Sequence, residues 1–199
     1  MKRAIVVCAF LALAGTALGA AEIGQPAPDL TATDIYGKTV RLSDYKGKIV
    51  VLESYNQDCP FCHNHYQSGA MQELQRDLAA KGVAWLLVDS VNRKNSSYRT
   101  PEQARKELTD QKMTVTAWIE DNSGQVGSAY GMRTTPHMFV IDKNGTLVYN
   151  GAIDDRPIPS GDPRSAHNYV RAAIDQLLAG EKISVPQTKP YGCAVKYGS

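Results

Sequence analysis

Cysteine is scarce in this chain, with four in 199 residues, at positions 8, 59, 62 and 193. So few exclude a small scaffold stapled by disulfides. An excess of charge of one sign is also missing. Twenty-two Lys and Arg face 20 Asp and Glu, with no basic run or patch, so neither nucleic acid nor an anionic membrane surface is an expected partner. Phenylalanine and tryptophan number only 3 and 2. Both tryptophans, Trp85 and Trp118, fall in strand-like apolar runs and belong in a core. There is no internal repeat and no low-complexity tract, and beyond the first 20 residues no apolar run is long enough to span a bilayer.

The one long apolar run stands at the start. Met1-Lys2-Arg3 is a basic opening, Ala4 to Leu18 is apolar and alanine-rich, and Ala17-Leu18-Gly19-Ala20-Ala21 offers small residues for cleavage. This is the pattern of a secretory signal peptide over residues 1–20, and it is short for a membrane span. Its removal takes Cys8 with it and leaves Cys59, Cys62 and Cys193 in a near-neutral protein, expected in the periplasm or outside the cell. Residues 21–180 then suit one domain with a core large enough to fold without staples, followed by an extended tail over 181–199.

What is present is a spacing. Lys48 to Tyr55 reads as a buried strand, and Cys59-Pro60-Phe61-Cys62 follows it where a helix begins at Pro60. A thiolate at a helix N-terminus meets unpaired N–H groups and the positive end of the helix dipole, which lowers its pKa. Cys59 is therefore the expected nucleophile. Cys62, one helical turn on, is placed to attack a mixed disulfide formed on Cys59, the geometry of two-step thiol–disulfide exchange. Asp58 works against this, since a carboxylate beside Cys59 disfavours the thiolate.

The rest of the chain alternates between strand and helix signals. Thr39 to Leu42 reads as half of a short hairpin. The helix from Pro60 is expected to continue through Tyr66, Ala70, Leu74 and Leu78 until Lys81-Gly82 stops it. Val83 to Val88 and Met113 to Ile119 read as strands, and Thr100-Pro101-Glu102-Gln103 opens a helix with a capping box. Met138 to Ile141 and Thr146 to Tyr149 form a hairpin whose Asn144-Gly145 favours a type I′ turn. Asp154 to Pro163 reads as a surface loop. Val170, Ala173, Ile174, Leu177 and Leu178 make the apolar stripe of a last helix ended by Gly180. A βαβαβ series followed by ββα implies an α/β fold, with a central mixed sheet and helices on both faces.

Three motifs in this order carry a resemblance. The strand–Cys-Pro-Phe-Cys–helix unit, Thr134-Thr135-Pro136 before the hairpin, and the Ile141-Asp142-Lys143-Asn144-Gly145 turn together resemble the thioredoxin-like superfamily. The opening Gly24-Gln25-Pro26-Ala27-Pro28-Asp29-Leu30, with Asp34, Gly37, Leu42 and Lys46-Gly47-Lys48, is similar to its redoxin branch of secreted thiol–disulfide oxidoreductases. The likeness covers roughly Gly24 to Gly180. It implies a thioredoxin-like fold and exchange with protein or small-molecule thiols and disulfides, served by an upstream redox partner and needing no cofactor. It also implies that Pro136 is a cis-proline lying against the dithiol and shaping a groove for a substrate backbone. Glu53, six residues before Cys59, then has two readings. It is a buried acid whose raised pKa lets it take the Cys62 proton, or a strand residue facing solvent.

Other chemistries fit parts of the pattern. Cys59-Pro60-Phe61-Cys62-His63 matches the attachment sequence for c-type haem, but it follows a strand rather than lying in a helical pocket. A peroxiredoxin-type peroxidase would carry Thr or Ser three residues before its reactive cysteine and a proline earlier, where Asn56 and Leu52 stand. Cys59, Cys62 and His137 could converge on copper or zinc in a metal-trafficking protein, with His63 and His65 as further donors or as solvent-facing helix residues. Cys193 is left over, in a tail whose Pro186 and Pro190 favour an extended path. It is either an inert packed thiol or an auxiliary resolving thiol for Cys59, the latter requiring Cα atoms within about 7 Å.

Overall fold

The computed structural model describes residues 21–198, so the expected signal peptide and Cys8 lie outside the described residues. A short hairpin of β1 (Thr31–Thr33) and β2 (Thr39–Arg41) precedes the main sheet. In that sheet β3 (Val50–Ser54), β4 (Ala84–Asp89) and β5 (Ala117–Glu120) run parallel. The two-residue β6 (Thr134–Thr135) leads into β7 (His137–Ile141) and β8 (Leu147–Gly151), which complete the order β5-β4-β3-β7-β8 in antiparallel pairing.

Central strands read as unbroken apolar runs because both of their faces are covered. Every residue of β3, β4 and β7 is buried, whereas the edge strand β8 alternates. The two-residue period still sorts the core into two clusters. Val50, Leu52, Leu86, Val88, Phe139 and Ile141 pack on one side with Val126 and Tyr130 of α4 (Gln125–Tyr130) and with Leu30, Val40 and Leu42. Val51, Trp85, Leu87 and Met138 pack on the other, under α1 (Pro60–Gln67), α2 (Ala70–Ala80), α3 (Pro101–Asp110) and α5 (Tyr169–Leu178). Glu53, alternating with Leu52, belongs to this second side. No helix among the described residues is long and apolar enough to cross a membrane.

Several local expectations are corrected. The single helix from Pro60 is two helices, because Gly69 takes a φ of 76° and divides α1 from α2. Residues four apart drift by about 40° per step around an ideal helix. A straight helix would carry part of the set off the sheet; with the break Tyr66, Leu74 and Leu78 are all buried. The third parallel strand starts at Ala117 rather than Met113. Upstream of it Lys112 has a φ of 52° and the Thr114 N–H is taken by the Gln75 side chain at 3.0 Å, so the chain is still turning. The β7–β8 turn is not type I′. Within it only Gly145 has a positive φ, 86°, its N–H donates to the Asp142 carbonyl, and the pairing shifts between Val140 and Ile141. That is a type I turn closed by a glycine bulge, held by Asp142 Oδ1 accepting from the Asn144 and Thr146 N–H groups. Leu178 falls off the apolar stripe of α5 and is 41% exposed.

The tail is extended, as its prolines require, yet it is bonded to the body along its length. The Asn150 N–H donates to the Pro186 carbonyl at 3.1 Å and the Thr188 N–H returns to the Asn150 carbonyl at 3.2 Å. Farther on, β9 (Cys193–Ala194) pairs antiparallel with β6, placing Cys193 opposite Thr135.

Candidate active site

The chain leaves β3 in a turn held by Asn56, whose Oδ1 accepts from the Asp58 N–H at 2.8 Å and whose carbonyl accepts from the Cys59 N–H at 3.1 Å. The Asn56 side chain is thus committed to the turn, and the position where a peroxidase would hold a hydroxyl offers none. Cys59 becomes the N-cap of α1 with extended backbone (φ −81°, ψ 119°), and Pro60, which has no N–H to satisfy, fills the first helical position. An N-cap side chain lies over the N–H groups of the first turn. Here that side chain is sulfur.

The Cys59 thiolate is stabilised first by the Cys62 side chain, then by Thr135 and by the backbone N–H groups of Cys62 and Cys193. Together they outweigh burial and bring the Cys59 pKa down to about 4. Cys59 Sγ is also 2.8 Å from the Thr135 carbonyl oxygen. That contact favours the protonated thiol, but the donors around the sulfur outnumber it and the shift stays downward. Asp58, expected to oppose the thiolate, turns its carboxylate outward to Arg99 at 3.0 Å. Cys62 behaves in the opposite way, since burial pushes its thiol well above the usual range and the Cys59 charge pushes it further.

Glu53 is fully buried, which removes the solvent-facing reading. Its two carboxyl oxygens accept from Tyr66 OH at 3.1 and 2.9 Å, and Oε2 also accepts from Trp85 Nε1–H at 2.8 Å. Burial raises its pKa to about 7, with the bonds from Trp85 and Tyr66 pulling it back. Its charge adds to the upward push on Cys62, so the two groups face one another electrostatically. The Thr135–Pro136 peptide is cis, and Thr135, just before it, is the residue that touches Cys59.

The histidines do not gather at the dithiol. His137 stacks on Phe139 with centroids 4.4 Å apart, its Nε2 meets Asn150 Oδ1 at 2.8 Å, and its Nδ1 accepts from the Arg133 N–H at 3.2 Å. Both ring nitrogens are occupied, and burial lowers its pKa to about 4. Among the described residues no three His, Cys, Asp or Glu side chains are arranged to hold a metal ion. His63 is exposed, but His65 is buried rather than solvent-facing. Its Nε2 lies 3.3 Å from Tyr191 OH and 3.7 Å from Asp154 Oδ2, while Tyr191 OH donates to Asp154 Oδ1. Asp154 is therefore a buried partner, not a loop acid in solvent. Trp85 appeared in sequence only as core, Tyr66 only as helix periodicity, and Tyr191 carried no signal at all. A tyrosine at a core position near a suspected buried acid is the one clue that would have singled out Tyr66.

Comparison with known proteins bears on the family and the fold. Residues 23–150 match the model of the AhpC/TSA family. The chain is 31% identical over 127 residues to the thiol-disulfide oxidoreductase ResA of Bacillus thuringiensis, covering 64% of this chain and 68% of that one. Among solved structures, a hypothetical protein of Sinorhizobium meliloti 1021 is similar at a TM-score of 0.79 and 26% identity, over 91% of this chain and 97% of that one. The thioredoxin domain of a thiol-disulfide oxidoreductase from Bacteroides vulgatus is similar in fold at a TM-score of 0.51 and 23% identity, over 65% of this chain and 87% of that domain.

Proposed function

From a chain that belongs to the AhpC/TSA family and is a thiol–disulfide oxidoreductase of thioredoxin-like fold, we propose an exported enzyme working through Cys59-Pro60-Phe61-Cys62. The Cys59 thiolate attacks a substrate disulfide, forming a mixed disulfide and releasing one substrate thiolate. Cys62 then attacks Cys59 Sγ, closing the Cys59–Cys62 bond and releasing the second. Glu53, with a pKa of about 7, takes the proton that Cys62 must lose and at neutral pH can pass it on. Pro136 and the edge of β6, which β9 of the tail covers here, shape the groove that a substrate backbone takes when the tail lifts. The cycle runs in either direction, with an upstream thiol or disulfide partner resetting the dithiol.

The observation that carries this reading is Cys59 at the N-cap of α1 with its sulfur seated against the Thr135 carbonyl, its pKa brought down chiefly by the Cys62 side chain. Export rests on the basic and apolar pattern of residues 1–20. Trapping tests the roles of the two thiols. With Cys193 replaced by Ser throughout, Cys62→Ser should accumulate mixed disulfides with client or donor proteins, whereas Cys59→Ser should accumulate none and lose reductase activity. Equal trapping by both variants would overturn the assignment.

A further inference from the structure

Cys193 sits on β9 directly opposite Thr135, and the Thr135 carbonyl oxygen is 2.8 Å from Cys59 Sγ. Opposed residues of an antiparallel pair have Cα atoms about 5 Å apart. The third cysteine is thus one residue's width from the nucleophile. The preceding residue explains so close an approach. Gly192 has a φ of 128°, and a Cβ there would collide with the Thr135 carbonyl, so a glycine lets the tail lie flat against the cis-proline segment. Tyr191 anchors the same stretch, its hydroxyl bonded to Asp154 and its ring tilted against Phe61 at 5.6 Å. With the tail docked, Cys59 is only 1% exposed while Cys193 is half-buried at the mouth of the site.

Resting on the dithiol reading above, we propose that Cys193 is a second resolving thiol, which attacks the mixed disulfide on Cys59 in competition with Cys62. The steps balance without any further reactant. The Cys59 thiolate attacks a substrate disulfide, so that one half of the substrate stays on Cys59 and the other leaves as a thiolate. Cys193 gives its proton to solvent and its thiolate attacks Cys59 Sγ; the Cys59–Cys193 bond forms and the second substrate half leaves as a thiolate that water protonates. Two electrons pass from the protein thiols to the substrate disulfide. Cys62 can then displace Cys193 from Cys59, leaving the Cys59–Cys62 bond and a reduced Cys193.

The two resolving thiols work under different conditions. Cys62 is fully buried and depends on Glu53 to lose its proton. Cys193 is pushed up to about 11, first by its own burial and then by the Cys59 side chain and its charge, with Lys196 pulling it down. The Cys59 contribution disappears as soon as Cys59 is held in a disulfide, and water at the mouth of the site can accept the proton.

Oxidised glutathione is the probe that tests this. Reduced Cys62→Ser protein is mixed with one equivalent and mapped by non-reducing peptide mass analysis. The expected result is a glutathione adduct on Cys59 that gives way to a Cys59–Cys193 bond with release of two glutathione molecules. Cys62→Ser with Cys193→Ser should stop at the adduct, and Cys62→Ser with Gly192→Ala, whose tail cannot seat, should close the bond at least tenfold more slowly. A persistent adduct on Cys59 with Cys193 still open to alkylation overturns the proposal and leaves the dithiol reading standing. No adduct on Cys59 in any variant overturns both.

Discussion

Replacing Glu53 by Gln tests the buried acid through stability as well as rate. Burial holds the folded pKa at about 7 against an ordinary value of 4.5. Between those values the folded protein keeps a proton that the unfolded chain has lost, so stability falls as pH rises through this window and levels off above it. At about 1.4 kcal/mol for each pH unit of the window, the ionised carboxyl costs roughly 3 kcal/mol by pH 8. A glutamine does not titrate. The unfolding free energy of Glu53→Gln minus that of the wild type, both fully reduced, should be constant at low pH. It should then climb in favour of the variant by about 3 kcal/mol between pH 4.5 and 8. Asp89, also raised to about 7 by burial, and His137, lowered to about 4, titrate in both proteins and cancel in the difference. The glutamine NH₂ cannot accept from Trp85 Nε1–H or Tyr66 OH, but that loss is a pH-independent offset. Urea unfolding at closely spaced pH values measures the curve. A difference that stays flat across the window would refute a buried, proton-holding Glu53. In the same variant, resolution by Cys62 should slow by about 10²-fold or more and lose its rise with pH near 7. A purely structural Glu53 would shift stability and leave that profile in place.

Two further outcomes follow from the site. With the Cys59 pKa lowered to about 4, the ultraviolet thiolate absorbance of the reduced protein should persist from neutral pH downward and vanish only as pH falls through about 4. A loss centred near the ordinary thiol value of 9 would mean that the Cys62 side chain and the other donors do not act on Cys59. Tyr191→Phe removes the hydroxyl that joins Asp154 and lies beside His65, a bond worth about 1–2 kcal/mol. Alkylation of Cys193 should quicken by roughly tenfold as the tail detaches more often, and an unchanged rate would show that the tail is held elsewhere.

The features legible in the sequence are those whose cause is local. The capping box at Thr100 is present as expected, with the Thr100 N–H on Gln103 Oε1 at 2.9 Å and the Gln103 N–H on Thr100 Oγ1 at 3.3 Å. All four atoms belong to one helical turn. Cys59 and Cys62 were equally plain, because strand, proline and spacing are neighbours along the chain. Glu53 was not decidable from alternation, since a central strand covered on both faces has no solvent face to mark by contrast; its burial depends on Trp85 from β4 and Tyr66 from α1 closing over it. Asp154 looked like a loop acid because its partners His65 and Tyr191 lie on segments far from it in sequence. The tail shows the limit most clearly. Its prolines dictate an extended backbone, but an extended backbone leaves its N–H and C=O groups free to pair with any open edge. Which edge it takes is decided by the short β6 strand, by the cis Thr135–Pro136 peptide, and by a glycine at position 192 whose need appears only when the Thr135 carbonyl stands against it. The pairing that brings Cys193 to Cys59 is therefore a property of the assembled fold, and the thiol chemistry it permits is set by a contact that no segment of the chain specifies by itself.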